Sequence, residues 1–430
     1  MKSGLRAEKA RTANAAFLWD ESFLWGLMSY KSLRARALPF DLIRCEDIRA
    51  GRLRDYAMLF VPGGWASNKL KALGTEGASE ILKFVNAGGN YLGFCGGAGL
   101  ATLDGLGLLK IKRMTTKKRV PSFSGRIRLD LKKHPVWNGT AHDIFHVWWP
   151  SQFLIGDGAI KVLASYREAM PDSFSSDLNV GDVATGGGWC HLEEVYGINL
   201  DPARLYGEPA VVEGKHGKGN VLLSLVHFDT PRDNNGAIVL RALWDYLAGA
   251  QAEEAEPTDR QEAGISAADT LSKETARILQ ELEAKAGELI ALGERNFLWF
   301  WRNPMLLQWR RGVRGLEYCT LFIMMREIAD MVKRRHIALI RGGFNRGEFE
   351  KAVDRFAQAL IPFIDGASKL LVAERLAMQN GNTITYERCD DATIALLRER
   401  LFSSSKSYGG AFKKLIDEMD HILLMLLREQ

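Results

Sequence analysis

Of the five cysteines in this 430-residue chain, one sits where a thiol could become a nucleophile. Cys95 lies in the stretch Tyr91-Leu92-Gly93-Phe94-Cys95-Gly96-Gly97-Ala98-Gly99-Leu100-Ala101. An apolar run ends there, and a run of small residues begins that can start a helix. The thiolate is the reactive form of cysteine, and a helix N-terminus favours it because backbone N–H groups and the helix dipole point at it. Glycines on both sides fit a sharp turn that side chains would block. This is the logic of a nucleophile elbow, with Cys in place of Ser. The plain alternative is a small buried cysteine packing in a tight turn.

A nucleophile of this kind needs a base, and the base needs an acceptor that orients it. His227 directly follows the apolar run 221–226, and Asp229 stands two residues on. A carboxylate at that spacing can hold the second ring nitrogen. An oxyanion needs backbone N–H donors beside the nucleophile. Gly96 follows Cys95, and Gly63 and Gly64 close the run 58–64. Read singly, these are also an ordinary strand-end histidine and a Pro-Gly turn.

The elements that must position these groups read as α/β over residues 1–248. Short apolar runs at 15–19, 40–45, 58–64 and 90–95 alternate with helical patterns at 24–36, 77–87 and 97–103. That alternation predicts a doubly wound, mostly parallel sheet whose strand-end turns (20–22, 62–67 and 95–99) share one rim. Residues 120–225 read as richer in strands, with a hairpin across 209–229. Asp20, Glu21, Trp65, Trp148 and Trp149 are the candidate substrate-binding side chains of that rim. For the two adjacent tryptophans, packing within a strand is the competing reading. Cys190 and His191 are adjacent, and if they lie on a strand they face opposite ways, so they do not form a dyad.

"LFVPGGW", "GFCGGAG" and "HFD" together resemble the three signatures of class I glutamine amidotransferase-like domains. "WDESF", "VPGGWASNKL" and "GGNYLGFCGGAGLA" are more closely similar to the N-terminal domain of biotin-protein ligases and its free-standing bacterial forms. The resemblance covers about residues 13–248. It implies a flavodoxin-like sheet and a Cys-His-acid triad, matched here by Cys95, His227 and Asp229. The amidotransferase pattern Gly-x-Cys-x-Gly-x-Gln ends here on Gly99, and Asp229 stands where Glu is usual. Nothing after residue 250 resembles the ligase catalytic domain, so biotin ligation by this chain is not expected.

The expected function is cysteine-dependent amide hydrolysis or acyl transfer on a small-molecule or peptide-like amide. Two alternatives stay open: a non-catalytic ligand-binding or scaffold protein, and an amidotransferase half that feeds a partner protein. No cofactor and no metal site is expected, since no CxxC pair or Cys/His cluster occurs.

Residues 249–266 are acidic, poor in large apolar residues and broken by Pro257, which reads as a linker. Residues 267–430 show helical spacing over 267–292, 297–337 with an interruption at Pro304, 346–376, 390–402 and 409–428, an all-α bundle. From 297 to 346 there are ten Lys/Arg against three acids, a basic stretch that could meet an acidic surface or a protein partner. A solvated helix face is the competing reading, and nucleic acid is not expected at a net charge of +5. No apolar run reaches the length of a membrane span, and the N-terminus lacks a signal-peptide core. Few, scattered cysteines point to the cytoplasm.

Overall fold

The computed structural model describes residues 14–156, 159–249, 271–334, 344–382, 384–385, 389–403 and 407–428. The chain divides into two compact units, Met1–Glu253 and Glu254–Gln430. The division falls inside the stretch read as a linker, most of which lies outside the described residues.

The first unit opens with β1 (Ala15–Leu18), α1 (Phe23–Ala35), β2 (Asp41–Ile43), α2 (Cys45–Arg49) and β3 (Met58–Val61). It continues through α3 (Ala66–Asn86), β4 (Asn90–Phe94) and α4 (Gly96–Leu100). A strand-rich segment follows: β5 (Ile111–Arg113), β6 (Phe123–Leu131), β7 (Ile144–Trp148), β8 (Phe153–Ile155), β9 (Lys161–Ala169), β10 (Phe174–Ser175) and β11 (Leu178–Asn179). Next come α5 (Val180–Thr185), α6 (Cys190–Tyr196), the hairpin β12 (Pro209–His216) and β13 (Gly219–Ser224), and α7 (Asn234–Ala248).

Eleven strands form one sheet in the order β11-β10-β6-β9-β12-β13-β4-β3-β1-β2, with β7 paired to β6. The expected doubly wound parallel core is β2-β1-β3-β4-β13, every neighbouring pair of which is parallel. The other six strands extend it through antiparallel pairs. β1 and β3 are buried along their whole length because both faces of the sheet are covered, which is why they read as unbroken apolar runs. Cys190 and His191 open the helix α6 and do not lie on a strand.

The second unit contains α8 (Lys273–Arg295), β14 (Trp299–Asn303), β15 (Leu306–Trp309), α9 (Gly315–Arg334), α10 (Arg346–Gln379), α11 (Ala392–Phe402) and α12 (Gly410–Leu427). The stretch 297–337 is therefore not helical throughout: β14 and β15 form an antiparallel hairpin before α9 begins. Pro304 stops a helix, and the aromatic residues around it suit a strand as well as a helix. The asparagine at the turn fixes it, Met305 N donating to Asn303 Oδ1 at 2.8 Å. Much of the basic charge of this region meets acids: Arg314 pairs with Glu317, Lys333 with Glu283, Arg334 with Glu327 and Arg346 with Glu350. Among the described helices, α10 alone is long and apolar enough by composition to cross a membrane. In this unit it packs against α8, α11 and α12.

Buried charge ties the second unit together. Arg398 Nε donates to Glu374 Oε1 at 2.6 Å, and its other nitrogens reach the carbonyls of Thr385 and Gly312. Both side chains are buried, so removing one partner strands the other at a cost of about 3–5 kcal/mol. Arg398→Leu and Glu374→Leu should each lower the Tm of this unit by several degrees, and the double replacement should recover part of the loss. Thermal denaturation followed by near-UV circular dichroism reads this directly; additive losses in the double variant would contradict it.

Candidate active site

Sheet register brings the three sequence signals to one rim. Val61 of β3 pairs with Gly93 of β4, and Phe94 pairs with Ser224 of β13. The residues that follow, Pro62-Gly63-Gly64, Cys95 and 225–227, therefore emerge side by side at the carboxyl ends of three parallel strands. Cys95 N continues the ladder by donating to Ser224 O at 2.8 Å.

At Cys95 the chain turns abruptly from β4 into α4, with φ 47° and ψ −101°. A non-glycine residue in that region is strained by about 1–3 kcal/mol and is held only where its surroundings over-determine it. The surroundings do so. A Cβ at Gly96 would lie 1.9 Å from the Gly64 carbonyl oxygen, and one at Gly97 would lie 1.9 Å from that of Val61. The backbones of the two loops thus touch directly. Gly64 itself has φ 112°, and a Cβ there would meet the Glu21 carbonyl oxygen at 2.4 Å. The Cys95 sulfur is 3.9 Å from the Trp148 carbonyl oxygen.

His227 is fully buried. Its Nδ1 is 2.9 Å from Asp229 Oδ1. Its Nε2 is buried and makes no hydrogen bond, yet Cys95 is near enough to favour protonation of the ring. Burial opposes the charge on this imidazole. The adjacent Asp229 carboxylate, its hydrogen bond and the Cys95 sulfur outweigh that and raise the pKa to about 10. The second Asp229 oxygen accepts from Ser29 Oγ of α1, and Ser32 Oγ donates to the Asp229 carbonyl at 2.6 Å. Trp25 of α1 lies against the imidazole, ring centroids 5.2 Å apart.

The candidate substrate-binding residues separate into two groups. Trp148 and Trp149 are at the rim. Trp148 is buried, and its indole Nε1 donates to Thr230 Oγ1 at 3.1 Å. Trp149 is half-buried with φ 50°, edge-on to Trp25 at 6.0 Å. Trp65 is half-buried at the start of α3. Asp20 and Glu21 instead support the loops behind the rim. The Asp20 carboxylate takes Arg44 Nε at 3.0 Å and Cys45 N at 2.5 Å, and Glu21 accepts from Asn68 at 3.3 Å. The buried Lys69 ties the same corner by donating to Asp20 O and Ser22 Oγ.

Ser29, Ser32 and Trp25, which contact Asp229 or His227, were not legible as site residues. A signal existed for the two serines: three apart in an otherwise apolar helix, they share its buried face and need a polar partner. Two of the other thiols, Cys45 and Cys319, are buried. Burial pushes Cys45 upward, helped by neighbouring Asp20, and burial raises Cys319 to about 12.

A family model described as "Biotin-protein ligase, N terminal" matches residues 53–104, the span holding β3, α3, β4 and α4. No curated protein matches the sequence. Among solved structures, a provisionally assigned GMP synthase component from Thermoplasma acidophilum is 13% identical with a TM-score of 0.36, covering 55% of this chain and 94% of its own. A cytoplasmic protein from Salmonella typhimurium LT2 is 12% identical with a TM-score of 0.32, covering 54% of this chain and 99% of its own. A β-galactosidase from Bacillus circulans sp. alkalophilus is 15% identical with a TM-score of 0.34, covering 56% of this chain and 32% of its own.

Two measurements probe this geometry. The folded pKa of His227 lies above its ordinary 6.5, so the stability its proton contributes is complete below about pH 6.5 and is lost as pH rises through about 10. Imidazole 15N shifts of His227 should still report the protonated ring at pH 8; neutral-ring shifts there would contradict the dominance of Asp229. Ser29→Ala removes a donor from a buried carboxylate and should cost about 1–3 kcal/mol in urea denaturation.

Proposed function

We propose that the first unit is a cysteine-dependent amidohydrolase or acyl-transfer domain with Cys95, His227 and Asp229 as its triad. The observation that carries this reading is the strained turn at Cys95 beside a buried imidazole whose other nitrogen is held by a carboxylate. Strain of this kind persists where function requires a side chain to be presented.

In the proposed reaction the Cys95 proton resides on His227, and the sulfur attacks the acyl carbon. A C–S bond forms, and the carbonyl electron pair moves to oxygen, where N–H groups of the loop at Gly63 and Gly64 and of Gly96 receive it. His227 passes its proton to the leaving nitrogen as the C–N bond breaks. Water, or an amine in acyl transfer, then adds to the thioester with His227 taking its proton. The C–S bond breaks, and the sulfur recovers its electron pair. Asp229 keeps the ring oriented, and Ser29 and Ser32 keep Asp229 in place.

One observation favours a second reading, a non-catalytic ligand-binding domain. Gly99 stands where the amidotransferase pattern has glutamine, and a Cβ there would lie 3.3 Å from an Arg113 guanidinium nitrogen, so Arg113 faces the place of that side chain. Reactivity separates the two. At about pH 6 an ordinary thiol is under one per cent ionised. Cys95 should therefore be alkylated by iodoacetamide at least about tenfold faster than 2-mercaptoethanol there, followed by peptide mass spectrometry to distinguish it from the exposed Cys190. His227→Ala should abolish the difference. Equal rates in wild type and His227→Ala would support the binding domain instead.

A further inference from the structure

Resting on the same reactive sulfur, we propose that the substrate carries an aromatic ring a few bonds from the reacting carbon, and that the indole of Trp149, backed by Trp25, receives it. Contacts on both sides of the triad place Trp149. On the thiol side, the Trp148 carbonyl oxygen is 3.9 Å from the Cys95 sulfur. The nitrogen of that same peptide unit is Trp149 N, which donates to Phe123 O at 2.9 Å. On the imidazole side, Trp149 meets Trp25 edge-on with ring centroids 6.0 Å apart, and Trp25 meets the His227 ring at 5.2 Å. A Cβ at Gly63 would lie 3.0 Å from Trp25 Cβ and 3.4 Å from His227 Cε1, so the loop at Gly63 closes on the same pair. Trp149 is thereby joined to the sulfur through its backbone and to the imidazole through its ring neighbour.

The adjacent Trp148 shows what a structural indole looks like here. It is 2% exposed, its Nε1 donates to Thr230 Oγ1 at 3.1 Å, and its ring stacks on His146 at 5.6 Å. Thr230 Oγ1 donates in turn to the His227 carbonyl at 2.9 Å, and His227 N donates to His146 O at 2.8 Å. Trp148 therefore fastens β7 to the segment that carries the base. Trp149 differs in two ways. It is only half-buried, as Cys95 is, and its backbone stands at φ 50°, which a bulky L-residue seldom adopts. Glycine would take that φ without strain, and burial in a core does not require it. Strain of this kind persists where a side chain has to be presented. A partly exposed indole braced edge-on by a second one offers a flat apolar surface. An aromatic ring gains offset or edge-to-face contact there beyond the area it buries.

N-benzyliodoacetamide and iodoacetamide test this, since they differ only in the ring-bearing substituent and alkylate by the same step: sulfur attacks the CH2 carbon, the C–S bond forms and iodide leaves. In wild type the benzyl-to-parent rate ratio at Cys95, read by peptide mass spectrometry, should exceed that of 2-mercaptoethanol by about tenfold, as expected for one aromatic pair and part of a ring's burial. Trp149→Gly should bring the ratio to that of 2-mercaptoethanol, and Trp149→Phe should keep most of it. A purely structural Trp149 would change both rates together and leave the ratio. A wild-type ratio equal to that of 2-mercaptoethanol, or one unchanged in Trp149→Gly, overturns the proposal. So does an equally high ratio for N-(cyclohexylmethyl)iodoacetamide, which would mark a site for any apolar group. His227→Ala should slow both reagents alike and leave the ratio intact, so failure of the triad and failure of the ring site give different results. Should Trp149→Gly not fold, protection of wild-type Cys95 from iodoacetamide by N-benzylacetamide, but not by N-methylacetamide at equal concentration, supports the site; equal rates with both overturn it.

Discussion

The first unit depends on the direct contact of two backbones. Carbonyls of the loop 61–64 pack on the α-carbons of Gly96 and Gly97, where no side chain could stand. That contact requires glycine at 96 and 97 and sets how closely β3 and β4 hand over to their loops. It also leaves Cys95 as the residue that must absorb the change of direction, at a φ that L-residues seldom adopt. The presentation of the sulfur and the small-residue run around it are two consequences of one steric fact.

Buried polarity is the second constraint, and the two units meet it differently. In the first, a chain runs from α1 through Asp229 to His227 and ends at an unsatisfied ring nitrogen beside the sulfur. An open end in such a chain is where a reacting group can be served. In the second, Arg398 closes its chain on Glu374 and on two backbone carbonyls, and Arg314 reaches Ser403 O as well as Glu317. Those charges fasten loops to helices, a structural use of the same residue types.

Much of the parallel core was legible because strands buried on both faces must be apolar throughout, and their ends must be glycine-rich where backbones approach. Cys95, His227 and Asp229 could be singled out on that basis. The helical reading of 297–337 failed at β14 and β15, where an aromatic-rich run carries no period that separates strand from helix. Asp20 and Glu21 were placed correctly in the chain beside the rim, but their side chains turn to Arg44, Cys45 and Asn68. An acidic residue at a strand end has the same appearance whether it faces a ligand or a neighbouring loop.

The sequence by itself determined local matters: the strands of the parallel core, where the sharp turn must fall, and that an imidazole and a carboxylate stand two residues apart, while the helix read at 77–87 begins at Ala66. These follow from periodicity, glycine placement and short-range reach. Tertiary structure alone decided that Ser29 and Ser32, some 200 residues away along the chain, hold Asp229, and that Trp25 lies against the His227 imidazole. Those pairings depend on sheet order and crossovers, and no local pattern encodes which distant side chains a closed sheet will bring together.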